Sequence, residues 1–214
     1  MLSIENKKIL CLSPHPDDAE LSFSGMTKKF NNSQFDIYLF SIGNENEGNL
    51  AGNFRLEETF NFWKLYNDKN VNLIKSKIKY ITEIDESKWI AKIAKTLKIK
   101  SYDIILIPSS LDNHFEHRIV NNVGRSLSRS HCMSVIEYQT PSTRTEWKPN
   151  NYVVLDKKLF NDKCKSLALA FKKQTQSGRI YFKKDYMTTF SQDHACFRKG
   201  IHFVEKFKIL ESYL

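Results

Sequence analysis

Two short motifs in this chain carry side chains that could form a hydrolytic metal site. The first is Pro-His-Pro-Asp-Asp at residues 14–18, and the second is Asp-Asn-His-Phe-Glu-His at residues 112–117. Imidazoles and carboxylates are ligands of catalytic zinc, which takes about three protein ligands and leaves one position open. The two motifs together hold enough of these groups for one such site.

Both motifs follow a short apolar run closely. His15 comes soon after residues 9–12, and Asp112 comes soon after residues 104–107. Short apolar runs bounded by polar residues or proline are typical of buried parallel strands. Because ligands bind beyond the carboxyl ends of such strands, we expect the two motifs to meet at one edge of the sheet.

The spacing within the motifs suggests how their side chains divide the chemistry. His15, one of the two adjacent aspartates and His117 supply a set of three metal ligands. Adjacent side chains point in different directions, so Asp17 can serve as the general base if Asp18 turns to the metal. His114 precedes His117 by three residues and shares its helical face, so one can bind metal while the other faces the reacting group.

Each motif also has a purely structural interpretation. Asp17 with Glu20, and Asn113 with Glu116, have the spacing of a capping box at the start of a helix. We therefore assign Glu20 and Glu116 to helix capping. This assignment does not exclude catalysis, because a helix N-terminus also favours anionic groups.

The rest of the chain alternates between strand-like and helix-like segments. Strands are predicted at 9–12, 35–41, 71–74, 104–107 and 133–138, and helices at 19–30, 54–66, 87–97 and 114–127. This alternation predicts an α/β fold with a mostly parallel sheet flanked by helices.

The C-terminal part predicts a mixed extension of that sheet. An edge strand is predicted at 152–155, a helix at 159–171 and a long helix at 194–210. No linker or repeat interrupts the chain, so residues 1–214 are expected to form one domain. Residues 43–53 and 139–151 are predicted loops where substrate specificity would lie.

Composition limits the function classes. The chain is 41% apolar and 27% charged, as in globular proteins, and contains no run long enough for a membrane helix. We therefore expect a cytoplasmic protein. Its four cysteines include no CxxC pair, which indicates reduced thiols and argues against a structural Cys-type zinc site.

The net charge of +9 is spread along the chain rather than concentrated in a basic arm. This distribution favours a dispersed solvated surface over nucleic-acid binding. The expected partner is a small molecule, for which an anionic character stays open. A homo-oligomer also stays open.

The first motif, extended to residues 14–21 and followed by Gly25, resembles the first signature of the LmbE-like de-N-acetylases, which include the PIG-L glycolipid deacetylase. Asp112-x-His114-x-x-His117 and Arg55-x-x-Glu58 resemble two further elements of that family. The resemblance implies a Rossmann-like fold and a divalent metal, usually zinc. It also implies hydrolysis of the N-acetyl group of an N-acetylglucosamine unit, with release of acetate.

Carried over residue by residue, the resemblance also implies a site. His15, Asp18 and His117 would be the metal ligands, and Asp17 would be the base.

His114 would stabilise the tetrahedral intermediate or protonate the leaving amine, and Asp112 would orient His114 by a hydrogen bond that keeps it charged. Arg55 would contact the substrate near its carbonyl or hydroxyl groups. An i,i+3 surface ion pair with Glu58 is the structural alternative for Arg55, and we weigh the two equally.

The second motif departs from the family, because many relatives have His-Pro-Asp-His where this chain has His114-Phe115-Glu116-His117. No ligand is lost, so activity is expected. Three alternatives stay open: another metal hydrolase such as a phosphoesterase, a catalytically silent sugar-binding relative, and a nucleic-acid-binding protein. Tyr181, Tyr186 and Phe190 could belong to the core or to a wall on which a sugar stacks, and we favour the core.

Overall fold

The computed structural model describes residues 4–41, 51–129, 133–197 and 199–212. The strands within these ranges are β1 (Lys8–Ser13), β2 (Gln34–Leu39), β3 (Val71–Lys75), β4 (Ile104–Pro108), β5 (Ser134–Tyr138), β6 (Asn151–Leu155) and β7 (Phe203–Glu211). They form one sheet in the order β3-β2-β1-β4-β5-β7-β6. Strands β1 to β5 pair in parallel, whereas β7 pairs antiparallel with both β5 and β6.

The α-helices are α1 (Asp18–Lys29), α2 (Ala51–Tyr66), α3 (Glu86–Thr96), α4 (Phe115–Arg129), α5 (Lys157–Ala170), α6 (Lys172–Gln176), α7 (Lys184–Phe190) and α8 (His194–Phe197). Helices α1, α2 and α5 contribute to the apolar cluster on one face of the sheet, and α3 and α4 to the cluster on the other. Alternate residues of each central strand enter opposite clusters, as Cys11 and Leu12 do. Both faces are thus covered, which explains why the central strands read as continuous apolar runs.

The predicted α/β fold with a mostly parallel sheet flanked by helices is confirmed. The predicted loop over residues 43–53 lies mostly outside the described residues, and its last three residues belong to α2.

The predicted helix over residues 194–210 is wrong. Helix α8 ends at Phe197, and Phe203–Glu211 form β7 between β5 and β6. The alternation of a half-buried strand is present there, but a charged residue, Glu205, occupies one of the buried positions and obscures the pattern. Its burial has a specific cause in the tertiary structure.

Glu205 anchors α1 near a break in that helix. Phe23 has a non-helical φ of −142°. The two oxygens of Glu205 accept hydrogen bonds from the backbone N–H groups of Gly25 and Met26, each at 2.7 Å. A Cβ atom at position 25 would meet Glu205 Oε1 at 2.8 Å and the Leu155 side chain at 2.6 Å, so a larger residue would displace these two side chains.

A buried cation completes this anchor. Lys163 on α5 donates to Glu205 Oε1 at 2.6 Å and to the carbonyl of Leu21 at 2.8 Å. The side chains of Lys163 and Glu205 are 0% and 2% exposed, so water solvates neither charge and each depends on the other. This ion pair connects β7 and α5 to the helix whose first residue is Asp18.

Among the described residues, no helix is long and apolar enough to span a bilayer.

Candidate metal centre and active site

The two motifs meet where strand order reverses. Strands β1 and β4 are neighbours, and the motifs follow their carboxyl ends. This is the position at which open α/β sheets bind ligands. A cavity of about 310 Å³ lies there, and its lining includes His15, Asp17, Asp18, Arg55, His114 and His117. These are six of the seven predicted site residues; the seventh, Asp112, is fully buried.

The turn between β1 and α1 holds the first motif in an unusual backbone conformation. Asp17 has a φ of +143°, which non-glycine residues rarely adopt. The backbone N–H of His15 donates to Asp18 Oδ2 at 2.9 Å, and the hydroxyl of Ser13 donates to the His15 carbonyl at 2.9 Å. Strain of this kind is retained where the surroundings over-determine a functional geometry.

Three ligand atoms form a nearly equilateral triangle. His15 Nδ1 lies 3.2 Å from His117 Nε2, and Asp18 Oδ2 lies 3.3 Å from each of these nitrogens. Ligands bound to zinc at roughly 2.0–2.1 Å in a tetrahedron lie about 3.3 Å from one another. The three side chains therefore have the spacing that three ligands of one zinc ion require.

The second nitrogen of each imidazole in this triangle faces a carboxylate. Glu116 Oε2 lies 2.7 Å from His15 Nε2, and Asp112 Oδ2 lies 3.1 Å from His117 Nδ1. Metal-binding histidines almost always have such a partner, which fixes the tautomer and the ring orientation. The residues present thus fit a divalent metal in both their ligand atoms and their supporting contacts.

A second group with possible ligand atoms, His15, His114 and Glu116, shares His15 with this triangle. It is less buried, and it uses as a ligand the carboxylate that otherwise supports the His15 ring. We therefore take His15, Asp18 and His117 as the candidate ligand set.

The capping assignments of Glu20 and Glu116 are wrong. Asp17 makes no side-chain cap, and Glu20 is buried, accepting a hydrogen bond from Trp63 Nε1 at 2.7 Å. Burial raises the pKa of Glu20 to about 8. Glu116 contacts the His15 ring, because the start of α4 faces β1 across the sheet edge. Helix-cap spacing is a local signal and does not register such distant partners.

Asp112 also differs from its predicted contact. Its carboxylate accepts a hydrogen bond from the backbone N–H of His114 at 2.8 Å, but it faces the ring of His117 rather than that of His114. The hydroxyls of Thr140 and Ser142 donate to it at 2.5 Å and 2.6 Å. The loop after β5, which contains these two residues, is thereby connected to a candidate ligand.

The charges of the histidines follow from these contacts. Burial favours a low pKa for His117, but Asp18 and Asp112 outweigh burial and raise that pKa to about 10. The pKa of His114, by contrast, is lowered by burial and by the neighbouring His15 and His117. His114 is therefore favoured as a neutral ring, contrary to the prediction that Asp112 keeps it charged.

Two arginines meet at the predicted base. Arg55 Nη2 donates to Asp17 Oδ2 at 2.8 Å, and Arg179 Nη1 approaches the same oxygen at 3.3 Å. Arg55 is mostly buried and does not form the surface ion pair with Glu58 that was the alternative; Glu58 accepts a hydrogen bond from the backbone of Lys173 at 2.7 Å.

Arg179 was not identified from the sequence, since no motif surrounds it. Tyr181 lines the cavity and is 37% exposed, so the preference for a core position is wrong for this residue. Tyr186 and Phe190 pack against the apolar core, as expected.

The mostly parallel sheet and the His/Asp ligand triangle at its switch point define the class: this is an α/β protein with a candidate metal-assisted active site. The family model PIG-L, GlcNAc-PI de-N-acetylase, matches residues 10–128, which is more than half of the chain. The chain belongs to this family. The predicted family and the predicted N-deacetylase class are thereby confirmed. No curated protein sequence matches the chain significantly.

Solved structures share the fold at low sequence identity. The A40926 pseudoaglycone deacetylase Dbv21 is 12% identical with a TM-score of 0.71, over 98% of this chain and 100% of its own. The N,N'-diacetylchitobiose deacetylase of Pyrococcus horikoshii is 18% identical with a TM-score of 0.68, over 98% and 88%. GalB, the 4-carboxy-2-hydroxymuconate hydratase of Pseudomonas putida KT2440, is 13% identical with a TM-score of 0.73, over 97% and 98%. The hydratase demonstrates that this fold alone does not determine the reaction.

Proposed function

We propose that this protein is a zinc-dependent hydrolase that removes the N-acetyl group from an N-acetylglucosamine-type amino sugar or its conjugate. The observation that carries the proposal is the triangle of His15 Nδ1, Asp18 Oδ2 and His117 Nε2, with sides of 3.2 and 3.3 Å. Membership of the PIG-L family supports the amide bond as the target. Two of the deacetylases of similar fold act on the A40926 pseudoaglycone and on N,N'-diacetylchitobiose, as their names state.

Zinc held by His15, Asp18 and His117 would supply Lewis acidity, which would polarise the acetamide carbonyl and lower the pKa of a water towards about 7. The chain's own groups then handle protons and position. Asp17 takes the proton of the attacking water as general base. Its Oδ2 is held by Arg55 at 2.8 Å, which supports a fixed orientation of the carboxylate. Arg55 also has further donors for the substrate carbonyl or hydroxyls.

His114 is assigned to stabilising the tetrahedral intermediate by a hydrogen bond, and the proton that Asp17 takes from the water passes to the leaving amine. It lines the cavity next to the ligand triangle, with ring centroids 4.8 Å from His15 and 4.9 Å from His117. As a neutral ring it donates a hydrogen bond from one nitrogen. Asp112 is assigned to orienting His117, through the 3.1 Å contact, and the backbone of His114.

Metal analysis of the purified protein, followed by an acetate-release assay over a panel of N-acetylated amino sugars, tests the proposal. We expect close to one zinc per chain, acetate release that chelation abolishes, and recovery when zinc is restored. Release of phosphate from phosphomonoesters without acetate would assign a phosphoesterase to the same site. Bound zinc and sugar without release of either product would identify a silent sugar-binding relative.

The cytoplasmic location, the single domain over residues 1–214 and a possible homo-oligomer remain predictions. So does the absence of a nucleic-acid partner; nucleic-acid binding would instead give an affinity for DNA or RNA that falls steeply with added salt.

A further inference from the structure

Arg179 is placed in the cavity wall by a tight turn. Helix α6 ends at Gln176, and Gly178 follows with a φ of +94°, a conformation that side-chain-bearing residues rarely adopt. The backbone N–H of Arg179 then donates to the carbonyl of Gln174 at 3.1 Å. This turn directs the chain back, so that Arg179 and Tyr181 both line the cavity beside the candidate metal centre.

One nitrogen makes both of the described contacts of the Arg179 side chain. Nη1 donates to Gln174 Oε1 at 3.0 Å and approaches Asp17 Oδ2 at 3.3 Å. Gln174 is 1% exposed, so it is a rigid acceptor. Asp17 Oδ2 already has a closer partner in Arg55, at 2.8 Å.

The opposite edge of the guanidinium is available to a ligand. Neither Nε nor Nη2 of Arg179 hydrogen-bonds to any residue that the structure describes. The side chain is 39% exposed, so these two nitrogens are not trapped in the core. Parallel N–H groups on one edge of a guanidinium match the two oxygens of a carboxylate or phosphate.

A second guanidinium and an aromatic ring lie in the same cavity wall. Arg55 lines the cavity together with Arg179, and its Nη2 donates to the same oxygen of Asp17. Tyr181 follows Arg179 by two residues, and its ring lies 5.2 Å from that of Tyr186 in an edge-to-face contact. Such a supported, half-exposed aromatic ring offers a flat apolar surface to a sugar.

We propose that the Nε/Nη2 edge of Arg179 forms an anion subsite that selects amino sugars carrying a phosphate or carboxylate, with the sugar ring against Tyr181. The inference rests on the proposed function for the identity of the sugar. It assigns Arg179 a direct contact with the substrate, in addition to its contact with the predicted base.

Binding of deacetylated products tests the subsite without requiring turnover. Calorimetry on the zinc-loaded protein would compare glucosamine 1-phosphate and muramic acid, which carry a phosphate and a carboxylate, with neutral methyl glucosaminide. Arg179→Ala is expected to weaken binding of the anionic product by about 10- to 100-fold, the range for hydrogen bonds to a charged group. Binding of methyl glucosaminide is expected to change by less than about 3-fold.

Two further variants distinguish the paired donors of Arg179 from general positive charge as the source of the affinity for anions. Arg179→Lys keeps the charge but loses the paired donors, so an intermediate loss is expected. Lys183→Ala removes an exposed charge from the same segment and should leave both affinities within about 2-fold. Comparing the affinities for glucosamine 1-phosphate and muramic acid shows which anion the subsite prefers. The subsite would be overturned if Arg179→Ala lowered the affinities for anionic and neutral products equally. It would also be overturned if Lys183→Ala weakened binding of the anionic product as much as Arg179→Ala does.

Turnover of the corresponding N-acetylated sugars separates this inference from the proposed function. The ratio of kcat/KM for anionic and neutral substrates cancels any effect that Arg179→Ala exerts through Asp17. A fall in this ratio of about 10-fold or more is expected. If zinc-loaded protein binds the anionic product through Arg179 but hydrolyses no acetamide, the subsite stands and the proposed function fails.

Discussion

Glu116 Oε2 lies 2.7 Å from Nε2 of His15, although 101 positions separate the two residues in the chain. On the other side of the ligand triangle, Asp112 Oδ2 lies 3.1 Å from His117 Nδ1. One helix start and the loop before it therefore support both imidazoles. The two carboxylates differ in burial, since the Asp112 side chain is 0% exposed and the Glu116 side chain 15%.

Removing the charge of either supporting carboxylate should weaken zinc binding. We expect Asp112→Asn and Glu116→Gln each to lose about 10- to 100-fold in affinity, as for other partners of metal-binding histidines. Competition with a chromophoric chelator measures the effect. Glu57→Gln, at an exposed glutamate of α2, is the matched control and should leave the affinity unchanged. If Glu116→Gln bound zinc with wild-type affinity, Glu116 would have no role in supporting the metal site.

Asp17→Asn should separate catalysis from metal binding. The amide cannot accept the proton of the attacking water, so acetate release should fall by about 10²- to 10⁴-fold. The zinc content should stay at the wild-type value, because the ligand triangle does not include Asp17. Turnover equal to that of the wild type would refute Asp17 as the base.

Zinc affinity should increase with pH. A histidine must be neutral to bind metal, and Asp18 and Asp112 raise the pKa of His117 to about 10 in the metal-free protein. Zinc therefore displaces a proton from His117 at any pH below about 10, and apparent affinity should rise about 10-fold per pH unit for each proton displaced.

Calorimetry at pH 7 in two buffers of different ionisation enthalpy counts those protons. Release of at least one proton per zinc is expected, and none would contradict the charged His117. For the metal-free protein, the sign of the linkage is the reverse. The stability contributed by charged His117 is complete below the pKa of about 6.5 that a histidine has in the unfolded chain, and it is lost as the pH rises through about 10.

Breaking the buried ion pair should destabilise the fold. Lys163→Met leaves Glu205 charged and without its cation in the interior, which costs about 3–5 kcal/mol of unfolding free energy. Lys165→Met, at an exposed position of the same helix, should change stability by less than about 0.5 kcal/mol. Urea denaturation of both variants measures the difference. The double variant Lys163→Met/Glu205→Gln should recover part of the loss, because it removes the unpaired charge.

The local pattern of the sequence was sufficient for most of the sheet. The apolar runs that became β1 and β4 are buried on both faces, so their composition reports their environment directly. The same rule failed at β7, where Glu205 occupies a buried position because Lys163 balances its charge and two backbone N–H groups donate hydrogen bonds to it. A period-based prediction treats such a residue as exposed.

By itself, the sequence determined the α/β class, the family motifs and the convergence of His15, Asp18 and His117 at one sheet edge. These depend on strand order and on residues close in sequence. The tertiary structure alone decided that Glu116 supports His15, that Asp112 faces His117, and that Arg179 reaches the cavity. Side chains far apart in the chain become partners only when the packing of helices against the sheet sets their distances, and no local spacing encodes those distances.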